Sequence, residues 1–290
     1  MIFRGALLLL CYQPTRVVGY NTITLPAGIE YNLIGISFDA VSGDEGLALS
    51  DIFGEDALAN GFTGGNTAAQ SDQLQFWDGS SYKTVWLNGN SKAVALYKKW
   101  INYGNTGWGT GNQPTSKKLK GGESFWIKRA IPSGKTAADL PALTITVAGQ
   151  VIVKTGGVAE FDIAAGTGTA DSYSLISAGF SAPFIPNPDK VDPSKAKIDW
   201  LALGCHGGNT AAASDQLQIW DGATYKTLWL NGNSKAAALY GWWINYGNTG
   251  WGTGNQPSTV QIQPTVGFWY LRNKAATTSF KFPISQPYSL

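Results

Sequence analysis

Residues 64–113 read GGNTAAQSDQLQFWDGSSYKTVWLNGNSKAVALYKKWINYGNTGWGTGNQ, and residues 207–256 read GGNTAAASDQLQIWDGATYKTLWLNGNSKAAALYGWWINYGNTGWGTGNQ. Aligned without a gap, about 42 of these 50 positions are identical, far above an accidental match, so one unit is written twice in tandem. The register runs on through Phe125-Trp126 and Phe268-Trp269 to Arg129 and Arg272. Upstream, Tyr31–Phe38 corresponds more weakly to Tyr173–Phe180. The expected organisation is a first module over 17–150, a second over 151–290, and an apolar segment over 1–16 ahead of both.

Within each unit the local signals are strands and turns. Leu74–Trp77 and Tyr82–Leu87 flank Asp78-Gly79, and an Asp-Gly turn between alternating apolar and polar residues predicts a hairpin. Ser91–Leu96 carries helical spacing and predicts one short helix, with strands near Lys99–Tyr103, Ser124–Ile127 and Leu143–Val147. The dense glycines of 105–112 predict a loop. Short, evenly spaced strands with turn punctuation indicate an all-β chain: two β-sandwich or open-barrel modules with at most short helices.

Composition narrows the function classes. The 290 residues include 14% charged side chains at a net charge of +2, which gives no clustered basic field for nucleic acid. No run of about 18 apolar residues would span a bilayer. One His, one Met and the widely separated Cys11 and Cys205 leave little material for metal sites, His-based catalysis or a disulfide framework. No cofactor or metal is expected.

Carboxylates offer the remaining catalytic option. Asp72, Asp78, Asp215 and Asp221 recur with a spacing of six, and paired acids can hydrolyse glycosides. Asp78 and Asp221 already serve Asp-Gly turns, and Asp72 and Asp215, each after Ser, read as turn initiators, so a non-enzymatic chain is expected. Asp44, Glu45 and Asp51 lack the ligand ladder of a calcium loop. His206, beside Cys205, has no counterpart in the first unit and reads as an incidental loop residue.

The differences between the copies are directional. Lys98 and Lys99 become Gly241 and Trp242, while Lys117, Lys118 and Lys120 become Val260, Gln261 and Gln263. Lysine keeps its ammonium in water and Trp and Val gain from burial, so this face should be solvated in the first module and covered in the second. Unlike faces on one body permit head-to-tail contact between copies. The segment Met1–Cys11 is apolar, resembles a degenerate leader, and could instead complete a sheet or dock on a neighbour's edge through Ile2, Phe3, Leu7 and Leu9.

Aromatics are the other outlier, with 12 Trp, 12 Tyr and 12 Phe. Trp77, Trp86, Trp220 and Trp229 sit in strand patterns and are expected in cores. Trp108 and Trp251 lie in the glycine loops beside Asn105 and Asn248, where a flat ring flanked by carboxamides could stack on a sugar.

The order Tyr31-Asn32-Leu33-Ile34-Gly35, then Trp77-Asp78-Gly79-x-x-Tyr82, then Gly122-x-x-Phe125-Trp126 resembles a β-rich module of secreted and surface-exposed bacterial repeat proteins. The resemblance covers most of both units and implies an extracellular or cell-surface location, but it transfers no catalytic residue. Together these readings favour a structural protein that self-assembles into a filament or surface array through Lys98, Lys99, Lys117, Lys118, Lys120, Trp242, Val260 and the N-terminal segment. The alternative is a pair of carbohydrate-binding modules using Trp108 and Trp251.

Overall fold

The computed structural model describes residues 17–41 and 46–289. The expected docking residues Ile2, Phe3, Leu7 and Leu9, and the acids Asp44 and Glu45, lie outside the described residues. The chain is all-β, with two short α-helices among the described residues. No helix there is long and apolar enough to cross a membrane.

In the N-terminal half, β1 (Val18–Leu25) is followed by β2 (Tyr31–Gly35), β3 (Phe38–Asp39), β4 (Leu47–Ala48) and the short helix α1 (Leu49–Phe53). Next come β5 (Gln73–Trp77), β6 (Tyr82–Leu87), β7 (Trp100–Asn102), β8 (Lys118–Leu119), β9 (Ser124–Lys128) and β10 (Leu143–Val151). The C-terminal half holds β11 (Val158–Ile163), β12 (Ser172–Ser177), the helical turn α2 (Pro188–Val191), β13 (Gln216–Trp220) and β14 (Tyr225–Leu230). It ends with β15 (Trp243–Asn245), β16 (Gly267–Arg272) and β17 (Phe280–Ser285).

Each half builds an antiparallel five-stranded sheet of the same order, β2-β9-β5-β6-β7 and β12-β16-β13-β14-β15. The central hairpin is organised by the expected turn. The Asp78 carboxylate accepts from the Ser80 and Ser81 amides at 2.9 and 2.8 Å, and Gly79 adopts φ 100°, which favours glycine. Alternation then sends Leu74, Phe76, Val85 and Leu87 to one side, where they meet Ile23, Leu25, Ile145 and Val147 from the β1–β10 ribbon. In the C-terminal half, β11 and β17 form the covering ribbon, and Ile163, Phe282 and Ile284 join Leu217, Ile219, Leu228 and Leu230. Each such side chain contributes roughly 1.5–3 kcal/mol by leaving water.

One expected element is absent: Ser91–Lys98 forms turns rather than a helix over Ser91–Leu96. The Asn90 side chain accepts from the Lys92 amide at 3.0 Å, and Lys98 sits at φ 64°, so local side-chain bonding and a left-handed residue interrupt any helical ladder.

The opposite sheet faces join the halves around an approximate twofold. Trp77 meets Trp269 and Trp126 meets Trp220, each pair edge-on with ring centroids 5.5 Å apart. Trp77 Nε1 donates to the Tyr173 carbonyl at 3.0 Å, and Trp220 Nε1 to the Tyr31 carbonyl at 2.9 Å. Near the axis the Gly35 amide donates to Thr265 O and the Ser177 amide to Gly122 O. A Cβ on Gly35 would lie 2.5 Å from the Ser177 Cβ, so this crossing admits no side chain at Gly35. Trp77 and Trp220, expected in the module cores, thus seal the contact between halves. Trp86 and Trp229 are buried.

Candidate functional site

The longest identical run, Trp100–Pro114 and Trp243–Pro257, begins as an edge strand and ends as a loop over the open end of each sheet. A buried asparagine shapes the loop. Asn102 Nδ2 donates to the Thr110 and Gln113 carbonyls at 3.3 Å, while its Oδ1 accepts from the Thr106 hydroxyl at 3.0 Å. The Thr106 hydroxyl accepts from the Trp108 amide at 3.1 Å, and the Thr106 amide donates to Gly109 O, closing a four-residue turn. Asn245, Thr249 and Trp251 repeat the arrangement in the C-terminal half.

The loop tryptophans are half-buried. Trp108 meets Phe76 edge-on at 5.1 Å, and the Lys117 ammonium lies 5.1 Å from its ring centre; Trp251 packs against the C-terminal core. Asn105 and Asn248 are exposed, and their side-chain oxygens accept from the Gly111 and Gly254 amides at 3.0 Å, so each first serves its own loop. The pattern of the sequence does not single out Tyr103 and Tyr246, which stand 66% and 65% exposed beside these loops. Their only signal there is membership of the identical run.

Gly107 and Gly250 are unusual within that run. Neither has a positive φ, and a Cβ at either would meet nothing within 4 Å. Backbone conformation and internal packing leave both positions open to larger residues, yet both copies keep glycine beside the tryptophan. Elsewhere in the duplicated block the copies differ mainly at the surface: Gln70, Ser80, Ser81, Val94, Lys98 and Lys99 are exposed or half-buried, and only Phe76 and Val85 of the differing positions are buried. Surface loops ordinarily drift faster than cores, so identity concentrated at an exposed tip points to something that contacts the tip.

The lysine face has a different meaning in each half. Lys98, Lys99, Lys117 and Lys118 line a 260 Å³ cleft together with Leu49, Ser50, Trp100 and Thr115. Lys98 pairs with Asp56, which holds that carboxyl below its ordinary value and the ammonium above it. Lys117 pairs with Glu123 at 2.7 Å; Lys99 and Lys120 are exposed, with Lys120 outside the cleft. In the C-terminal half Trp242 and Val260 are buried, as the exchange of lysine for apolar side chains suggests. Their cover is neither the other half nor a docking face. From Leu47, paired with Leu119, to Ala57 the chain takes ten steps, whereas from Phe184, paired with Ile262, to Trp200 it takes sixteen. The longer connection carries Lys190 and Lys197, whose ammonium groups lie 4.0 and 4.2 Å from the Trp242 ring centre. Burial lowers the Lys197 ammonium pKa.

Asp72 and Asp215 are not turn initiators. Both are buried, and each accepts backbone amides from two distant segments: Thr63 and Ala130 for Asp72, His206 and Asn273 for Asp215. Arg129 lies 3.3 Å from Asp72, and Arg272 donates to Asp215 at 2.7 Å. Burial pushes the Asp72 carboxyl up. No substrate could reach these carboxyls without unfolding their surroundings. Cys205 is buried as well, with its thiol pushed up by desolvation, and so is poorly suited to act as a nucleophile.

Comparison of the chain with protein-family models, curated proteins and solved structures finds no match.

Proposed function

We propose that this protein is a non-enzymatic, bivalent carbohydrate-binding protein of the cell exterior, presenting the same glycine-tryptophan loop once in each half. The observation that carries the reading is the unforced glycine beside Trp108 and Trp251 in a largely exposed loop that stays identical while exposed positions elsewhere in the repeat differ. A glycine without steric need leaves backbone accessible to a ligand. The neighbouring Tyr103 and Tyr246 rings and the Asn105 and Asn248 carboxamides supply apolar faces and polar edges suited to sugar rings. The exterior location follows from the resemblance of the strand motifs to surface repeat proteins.

The test uses Gly107→Leu and Gly250→Leu, because a Cβ at either position meets nothing within 4 Å and the fold should be kept, which far-UV circular dichroism of the variants checks. Retention on insoluble cellulose, chitin, xylan and peptidoglycan is measured for wild type, singles and the double variant. Each single variant should lose avidity by about 100-fold and the double should lose retention. A double variant retained as well as wild type, or a wild type retained on none of them, ends the reading.

Self-association is a second reading, favoured by one feature. Strand β1 closes one end of its three-stranded sheet, pairs with no strand on its outer side among the described residues, and exposes Val18 and Tyr20, as strand addition requires. Removing residues 1–12 should then reduce particle size in solution; unchanged particles would remove this support.

A further inference from the structure

The twofold that relates the halves leaves one matched pair of places unequal. Each lies where the hairpin turn of one half meets the edge strand of the other, β12 for the Gly79 turn and β2 for the Gly222 turn. At Gly222 the place is closed. Ile29, from the connection 26–30 between β1 and β2, lies 3.4 Å from where a Gly222 Cβ would sit, and the space left is 210 Å³. At Gly79 a Cβ would meet nothing within 4 Å among the described residues, and a pocket of 560 Å³ opens. The residue aligned with Ile29 is Asp171, whose carboxylate accepts from the Lys274 amide at 2.7 Å. The Gly166 and Gly168 amides donate to the Ala276 and Lys274 carbonyls, both at 2.9 Å. A Cβ on Gly166 would lie 2.3 Å from Asn273 O, so only glycine permits that approach. The connection 164–171 is thus bonded to the turn 273–276 instead of filling the pocket as Ile29 fills its twin.

We infer that this pocket between the halves binds a neutral saccharide unit, an inference that rests on the carbohydrate reading but concerns a place apart from the loops. Trp77, Tyr173 and Phe280 line it with ring surface, and Ser174 and Ser279 supply hydroxyls. Asp162 and Lys281 line it too, 2.9 Å apart, and offer an acceptor and a donor with no net charge. A charged ligand would find either countercharge already matched. An apolar chain would use the rings and none of the polar groups. An extended peptide would pair with the edge strand β12, but Trp77 Nε1 already takes the Tyr173 carbonyl at 3.0 Å and interrupts such a ladder. Sugar rings carry apolar faces and hydroxyl edges together, as this lining does. At 560 Å³ the pocket falls within the roughly 300–1,000 Å³ of small-molecule sites, whereas its twin falls below them.

Titration of the ¹⁵N-labelled full chain with cellobiose, xylobiose and di-N-acetylchitobiose tests it, with digalacturonate and octanol as the charged and apolar probes. The Trp77 indole N–H signal should move with at least one of the three neutral sugars, while the Trp220 indole signal stays still. Digalacturonate and octanol should leave Trp77 unmoved. Ser279→Trp and Ala164→Trp, each at an exposed position on the pocket wall, obstruct it from two sides. At least one of them should raise the half-saturating sugar concentration by about tenfold or more. A silent Trp77, equal movement of Trp77 and Trp220, a response to digalacturonate or octanol that matches the response to the neutral sugars, or an unchanged midpoint in both variants overturns the inference. Loop signals at Trp108 and Trp251 report the loop reading separately. Loops that respond while Trp77 is silent remove only the pocket, the opposite result removes only the loops, and silence at both removes both.

Discussion

Asp72 and Asp215 hold the same place in the two halves, yet their surroundings differ in completeness. Asp215 accepts from the Arg272 guanidinium, the Tyr270 hydroxyl at 2.6 Å and two backbone amides. Arg272 in turn donates to the Gly204 and Thr278 carbonyls and lies over the Phe280 ring. Around Asp72 the tyrosine is replaced by Ile127, and Arg129 approaches through Nε alone, with its Nη1 lacking a partner among the described residues. Burying an ion pair is favourable only when the remaining donors and acceptors are satisfied. The C-terminal half meets that condition more fully, so its charged centre should resist disruption better and lose more when broken.

The largest effect expected from this comparison is therefore on stability. Asp215→Ala strands a buried guanidinium, a tyrosine hydroxyl and two amides, and should cost about 3–5 kcal/mol. Asp72→Ala should cost less, because fewer groups depend on that acid. Urea midpoints of the two variants check the order, and equal losses would show that the added Tyr270 bond contributes nothing.

This centre also shows where local sequence stops being informative. The Asp78-Gly79 turn and the alternation of Leu74, Phe76, Val85 and Leu87 lie within one hairpin, so strand position and inward face can be read directly. Asp72 is different: Ser-Asp before a strand looks like a turn start, whereas its partners Arg129 and Ala130 arrive from more than fifty residues away. The loss of lysines marks a covered surface at Trp242 and Val260, but not at Gln261 and Gln263, which stay exposed. The cover is a connection without periodic pattern, so its identity could not be anticipated. In the loops, Trp108 and Trp251 stand out by residue type, but the accessible space beside Gly107 and Gly250 is a property of the folded chain.

A second contrast concerns the face where lysine and tryptophan exchange. Trp242 packs with Trp229 and Ile244 and already has two ammonium groups above it. Trp242→Lys would bring a third, while opening a cavity, and should cost about 2–4 kcal/mol. The reciprocal Lys99→Trp lies on a surface without the longer connection and should change stability by within about 0.5 kcal/mol. Thermal denaturation of both variants measures the asymmetry; a strong effect of Lys99→Trp would mean that the N-terminal face is covered too.

The smallest effect is a response to acid that both hairpin turns share, since Ser80 and Ser81 hold the Asp78 carboxyl down as well. In the exposed turn of the C-terminal hairpin, amides of Thr224 and Ala223 hold the Asp221 carboxyl down to about 2. Its unfolded value is about 3.9, so unfolding takes up a proton between these limits. The turn's contribution is complete above about pH 4 and is lost as the pH falls toward 2. Asp72 behaves oppositely: burial raises its carboxyl above the unfolded value, so its ionisation weighs against folding at neutral pH and protonation relieves it. Asp221→Asn keeps an acceptor for the turn amides without the titration. The stability gap between wild type and Asp221→Asn, measured by urea at pH 5 and pH 2, should shrink on acidification. A constant gap would place the turn's contribution in its backbone geometry, with the carboxylate charge adding nothing.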